Sequence, residues 1–196
     1  MRRRHLIIFA KPPRLGRTKR RLATDIGGPE ALRFYRATLA GTIRRLSRDS
    51  RWRTWLFVDS GPARWPADLA RRKQVRGDLG LRMDAALRSL PSGPVVLIGS
   101  DIPGAGSADI WTAFRFLTCK QAVFGPATDG GYWLVGIACA RAAPNLFQGV
   151  RWSSRHALSD TLKNLRSPRE YALISELNDI DDGNAFARWQ ENGPLK

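Results

Sequence analysis

Five short apolar runs constrain this chain more than any other feature. Leu6–Ala10, Thr54–Asp59, Val95–Gly99, Ala122–Phe124 and Tyr132–Ile137 are continuous rather than alternating. Strands covered on both faces read this way. A weaker, more polar candidate lies at Lys73–Arg76. Between the runs the apolar spacing changes to three and four. Pro29 to Arg48 carries Leu32, Tyr35, Leu39, Ile43 and Leu46 on one face, and Pro29 suits a first helical turn. Leu81 to Leu90 places Met83, Leu87 and Leu90 together and stops before Pro91. Further helices are expected at Ala108–Leu117, Ser154–Leu165 and Gly183–Glu191. Alternating strands and helices predict an α/β three-layer sandwich around a mainly parallel sheet. No linker or repeat divides residues 1–196, so one domain is expected.

Ligands of such sheets sit outside the carboxyl ends of the strands, and the chemically suggestive segments follow strand ends here. The first run leads through Ala10 into "KPPRLGRTK", where Lys11, Arg14, Gly16, Arg17 and Lys19 precede a helix expected to begin near Arg17. Glycine permits close backbone approach, amides at a helix start favour anions, and the side chains add positive charge. The segment therefore suits a di- or triphosphate. Neither GxxxxGK[ST] nor GxGxxG is present, which disfavours a P-loop or dinucleotide site. The alternative is a solvated basic helix face made by Arg14, Arg17, Arg20 and Arg21.

The run Val95–Gly99 delivers Ser100 and Asp101 to its end, where an acidic group suits Mg²⁺ or Mn²⁺ bridging phosphate oxygens. The alternative is a turn-capping Asp101. "TDGGY" places Asp129 after another run, as a second carboxylate or an acceptor ligand, with Gly130 and Gly131 allowing close substrate approach. The ordinary reading of that segment is a glycine-rich hairpin turn. Gly77, Asp78 and Gly80 open a helix and would line a base or ribose pocket, or Asp78 simply caps it. Asp179, Asp181 and Asp182 stand near a helix start, as caps or with one completing a metal site. His5 and His156 have no evident Ser or Cys partner, so nucleophilic catalysis and zinc ligation find no support.

The net charge of +16 suits phosphorylated ligands, nucleic acid or an anionic surface. The basic residues are scattered, 27 of the 33 are arginine, and no helix-turn-helix, zinc-finger or RNA-binding motif accompanies them. A nucleic-acid or anionic-surface module, catalytically silent, is the rival class. Cys119 and Cys139 lack ligand spacing and read as buried thiols in a reducing compartment. No run approaches the length of a membrane span, and "MRRRHLIIFAKPP" reads as a first strand instead of an export signal, so a cytoplasmic location is expected.

Taken in order, "FAKPPRLGRTKRRLA", "GDLGLRM", "GSDIPG", "GPATDGGYWLVG", "LFQGVRWSS" and "LNDIDD" resemble bacterial glycosyltransferase-like proteins of the radical-SAM/selenodomain-associated transferase type. These belong to the nucleotide-diphospho-sugar transferase superfamily, with more distant relatives among cofactor guanylyltransferases. The resemblance covers nearly the whole chain. It implies a Rossmann-like GT-A fold and a metal-dependent transferase using a nucleotide or nucleotide-sugar donor and an unknown acceptor. Sugar transfer and nucleotidyl transfer both remain open. It implies a nucleotide site made by Ala10, Lys11, Gly16, Arg17, Lys19, Gly77, Asp78, Gly80 and Ser100, with Gly130, Gly131 and Tyr132 toward the substrate. Asp101, Asp129 and Lys19 would be catalytic, and Asp101 and Asp129 would hold Mg²⁺ or Mn²⁺, Asp181 being the other candidate for second ligand. Two departures stand out: "KRRL" replaces Lys-Thr-Arg-Leu, and "GSD" replaces Asp-x-Asp.

Overall fold

The apolar runs become strands because both of their faces are covered. In the computed structural model, which describes residues 3–139 and 144–191, β1 (His5–Ala10) turns Leu6, Ile8 and Ala10 to one side of the sheet and Ile7 to the other. The first side is packed by α2 (Gly28–Ser47) and α4 (Ser107–Phe116) through Tyr35, Leu39, Ile43, Ile110 and Phe114. The second is packed by α3 (Leu79–Arg88) through Met83, Ala86 and Leu87, and by α5 (Ala157–Lys163) through Leu158 and Leu162. Each fully buried side chain of this size contributes roughly 1.5–3 kcal/mol of transfer free energy.

The sheet also contains β2 (Arg53–Val58), β3 (Ala70–Lys73), β4 (Val95–Gly99), β5 (Ala122–Pro126), β6 (Tyr132–Ile137) and β7 (Tyr171–Leu173). Its order is β3-β2-β1-β4-β6-β5-β7. Pairing is parallel throughout except that β6 runs against both β4 and β5. The chain thus has the expected three-layer α/β architecture with a mainly parallel sheet. β5 and β6 form a hairpin, so "TDGG" is a turn between two strands, as its ordinary reading held. Two further helices, α1 (Arg20–Ile26) and α6 (Gly183–Glu191), share a small separate core of Leu22, Ala31, Phe34, Ile180 and Phe186.

Some expected boundaries move, for local reasons. The weak strand lies at Ala70–Lys73 instead of Lys73–Arg76, because pairing with Trp55–Val58 ends at Lys73 and the chain then turns into α3. Asp78 caps that helix, its Oδ1 accepting from Leu81 N at 2.8 Å. α5 starts at Ala157 instead of Ser154, because Ser153 has φ 56° and Ser154 is used in a turn, its Oγ donating to Arg151 O and accepting from His156 N. The cysteines differ too: Cys119 is exposed and Cys139 half-buried, since Cys119 lies in the turn that follows α4. No described helix is long and apolar enough to cross a membrane.

Candidate functional site

A cleft of about 520 Å³ opens at the sheet edge where β1 and β4 end. Ala10 and Lys11 enter it from β1, and Ser100 and Asp101 from β4. These two strands are hydrogen-bonded neighbours, so their carboxyl ends meet without any need for a special loop. Tyr35, reaching across from α2, ties the two ends together. Its hydroxyl donates to Lys11 O and accepts from Lys11 N, both at 3.0 Å, and lies 3.1 Å from Ser100 Oγ. Burial holds the Tyr35 phenol above its usual pKa, so it serves as a neutral bracket.

The loop after β1 is wound on Arg14 O, which accepts from Arg17 N, Thr18 N and Thr18 Oγ1. Gly16 has φ 69° there, a conformation glycine adopts without penalty. Lys19 closes the loop as the N-cap of α1, also in the left-handed region at φ 49°, ψ 50°. That turn sends its side chain inward, where it is only 3% exposed. The ammonium lies 2.9 Å from Asp101 Oδ2, 2.5 Å from Asp181 Oδ1 and 3.9 Å from Asp179 Oδ2.

The two late aspartates arrive by a long return. From β7 the chain crosses back over the sheet edge, with Ile174 N donating to Phe124 O, Leu177 N to Pro126 O and Trp133 Nε1 to Ser175 O. It then docks on α1, where Gly183 N donates to Asp25 Oδ2 at 2.7 Å. Asp101, Asp179 and Asp181 can each offer one oxygen within 4.8 Å of the others. An all-oxygen set of this kind suits Mg²⁺ or Mn²⁺ more than a soft metal.

Charge sets the protonation of the cluster. Burial would lower the Lys19 pKa, but Asp101 and Asp181 together outweigh it and raise it, so the ammonium stays charged. Burial and the Asp181 charge push Asp179 up to about 7, against the pull of Lys19 and with a further push from Asp101. Asp181 moves the other way: burial opposes its ionisation, while attraction and hydrogen bonding from Lys19 carry it below the usual carboxylate range.

The site residues expected from the sequence fall into two groups. Ala10, Lys11, Arg17, Lys19, Ser100, Asp101 and Tyr132 line the cleft. Gly16 shapes its loop without lining it. Gly77, Asp78 and Gly80 do not reach it: Asp78 is a helix cap, and a Cβ on Gly80 would meet the Trp152 ring at 2.7 Å, so that glycine serves helix packing. Gly130 and Gly131 are likewise outside it. Gly130 O accepts from Leu158 N, and a Cβ there would lie 2.2 Å from Arg155 O.

Asp129 does not join Asp101. Its Oδ1 accepts from Gly131 N at 2.8 Å within the hairpin turn, and the carboxylates beside Asp101 are Asp179 and Asp181. Asp182, by contrast, caps α6 through Ala185 N.

Several lining groups carry no site signal in the sequence. Tyr35 reads there as one more member of the α2 apolar stripe. Gln74 and Arg82 form a polar wall, hydrogen-bonded to each other, with Arg82 also 3.3 Å from Asp59 and Gln74 Nε2 donating to Phe57 O. Phe9, Met83, Leu97 and Val135 make an apolar wall. Met83, expected in the core, is buried there and borders the cleft as well. His5 sits at the opposite end of β1, held neutral by burial and by nearby Arg3 and Arg53, with its Nδ1 accepting from Trp55 Nε1.

Comparison with known proteins agrees with this architecture. A solved structure from Desulfovibrio desulfuricans G20, assigned as a nucleotide-diphospho-sugar transferase, superposes with a TM-score of 0.85 at 28% identity, over 93% of this chain and 84% of that one. The 4-diphosphocytidyl-2C-methyl-D-erythritol synthase of Anaerococcus prevotii gives 0.62 at 13% identity, over 96% of each chain. Glucosyl-3-phosphoglycerate synthase of Mycobacterium tuberculosis, solved with Mn²⁺, UDP and phosphoglyceric acid, gives 0.58 at 9% identity, over 95% of this chain and 74% of that one. The fold is therefore the GT-A-like fold of nucleotide-diphospho-sugar transferases. No curated protein matches the chain. Residues 38–154, more than half of the sequence, match the family described as "Uncharacterized protein conserved in bacteria (DUF2064)", and the chain belongs to that family.

Proposed function

We propose that this chain is a transferase dependent on Mg²⁺ or Mn²⁺, which binds a nucleotide or nucleotide-sugar donor in the cleft and passes part of it to an acceptor. The observation that carries this reading is the meeting of a basic loop with three carboxylates at the carboxyl edge of the sheet. Support comes from solved proteins of the same fold, one of them holding Mn²⁺ with UDP. Lys11, Arg17, Arg20 and Arg21 line the cleft beside the loop and supply positive charge for the donor phosphates. Asp101, Asp179 and Asp181 would hold the cation, whose chemistry is to neutralise charge developing on the phosphate oxygens. The apolar wall of Phe9, Met83, Leu97 and Val135 suits the face of a base or sugar ring and excludes water from it.

The leaving group identifies the reaction. Attack at phosphorus by an acceptor oxygen expels pyrophosphate from a nucleoside triphosphate. Attack at a sugar's anomeric carbon expels a nucleoside diphosphate. Incubating the protein with nucleoside triphosphates or with UDP- and GDP-sugars, and assaying both products, separates the two.

Asp101→Asn is expected to weaken divalent-dependent nucleotide binding by about tenfold or more, since even outer partners of metal ligands cost that much. Nucleotide-induced thermal shifts with and without Mn²⁺ measure it. Undiminished metal-dependent binding in this variant would remove Asp101 from the site.

A further inference from the structure

Lys19 stands where a cation belongs. Its ammonium is within salt-bridge distance of all three carboxylates that could hold a metal ion, and the side chain is 97% covered. The ammonium, 2.9 Å from Asp101 Oδ2 and 2.5 Å from Asp181 Oδ1, stands at the centre that a cation shared by these carboxylates would take. The backbone adds an independent observation. Lys19 is one of only two non-glycine residues with positive φ among the described residues, and such a conformation persists where the surroundings impose it. Here it carries the side chain down from the start of α1 into the acidic triangle.

We propose that Lys19 and a divalent cation are alternative occupants of the Asp101–Asp179–Asp181 triangle, so that the lysine withdraws from the carboxylates before a cation is held there. This rests on the divalent-cation reading given above. While it holds this position, Lys19 neutralises carboxylates that would otherwise repel one another. On withdrawal the ammonium remains in a cleft lined by Lys11, Arg17 and Arg20, where the donor phosphates offer it a new counter-ion. Lys19 thereby links cation and donor: either one alone meets a lysine still engaged with the carboxylates, and the two together resolve it. Linkage of this kind is reciprocal.

The test is a titration with Mn²⁺ in the absence of nucleotide, followed by the electron paramagnetic resonance signal of the free ion. If Lys19 occupies the triangle nine-tenths of the time, its removal raises apparent Mn²⁺ affinity about tenfold, because affinity scales with the fraction of protein competent to bind. Lys19→Met and Lys19→Gln are therefore both expected to bind Mn²⁺ about tenfold or more tightly than the wild type. Two shapes are used so that a folding defect in one leaves the other, each checked by circular dichroism. Mn²⁺ should also raise their melting temperatures more than that of the wild type.

Equal or weaker Mn²⁺ binding by both folded variants overturns the exchange. If the wild type binds Mn²⁺ and Asp101→Asn does not, while the Lys19 variants match the wild type, the exchange fails and the cation site stands. If no form binds Mn²⁺, both fail together.

Discussion

Asp179 is the single residue whose protonation most clearly records the cost of the site. Its unfolded carboxyl titrates near the ordinary value of 3.8, whereas in the folded protein burial and the Asp181 charge raise it to about 7. Between those values the unfolded chain gives up a proton that the folded chain keeps. The folded state then binds more protons, so this group's contribution to stability falls as pH rises from about 4 to about 7 and stays lost above that. Replacing Asp179 by Asn removes the titration. The metal-free variant is expected to melt higher than the wild type at pH 8, with the gap closing toward pH 4; melts of both proteins across that range measure it. A constant gap would show that Asp179 titrates alike in both states. Asp181 works in the opposite sense: its folded pKa is depressed, so its stabilisation is present above about 4 and lost as pH falls further.

At the scale of elements, the β5–β6 hairpin and α5 are held together by backbone. Gly130 at φ 83° brings its carbonyl to Leu158 N, and a Cβ would collide with Arg155 O at 2.2 Å. Gly130→Ala is therefore expected to destabilise the protein by about 2–3 kcal/mol, as substitutions at strained, closely packed glycines do. Urea unfolding checks this, and a change below about 0.5 kcal/mol would mean that α5 shifts freely. The same hairpin shows what could and could not be read from sequence. The five apolar strands were legible because both of their faces are buried. β3 and β7 are faint in the sequence because they are the sheet edges: β3 is "ARRK" with alternate residues exposed, and β7 is only three residues long. The opening loop and Asp101 were legible because they follow strand ends. Asp129 follows a strand end as well, but β6 is inserted between β4 and β5. At about 4.8 Å per strand, that sets their ends roughly 10 Å apart, too far for one shared ion. Nothing in the order of residues along the chain announces that insertion, nor the return of residues 174–183 across the edge to bring Asp179 and Asp181 to Lys19.

For the whole molecule the dominant quantity is the charge of +16. Not all of it is directed at ligands. At the end of the sheet away from the cleft, Arg4 and Arg51 stack on Trp111, and Arg53 and Arg72 on Trp55. Elsewhere Arg151 pairs with Asp160, and Arg88 with Asp84. The excess remains self-repulsive, and salt at about 0.3 M shortens the screening length to below 10 Å. Raising NaCl from near zero to that level is expected to lift the melting temperature by a few degrees; a fall would mean that attractive pairs outweigh the net repulsion. The reversed direction of β6 has a consequence at this scale too. The charged end of the cleft is built from strand termini that point toward it, while Tyr132 and Trp133 come from a strand that begins there, just after a turn anchored on α5. The two ends of the cleft are joined through that turn, since Thr128 hydrogen-bonds Asn178 and Trp133 Nε1 donates to Ser175 O, both on the segment that brings Asp179 and Asp181 to Lys19. Changing the length or sequence of the turn at 127–131 therefore reaches both halves of the cleft, the aromatic wall directly and the late carboxylates through Asn178.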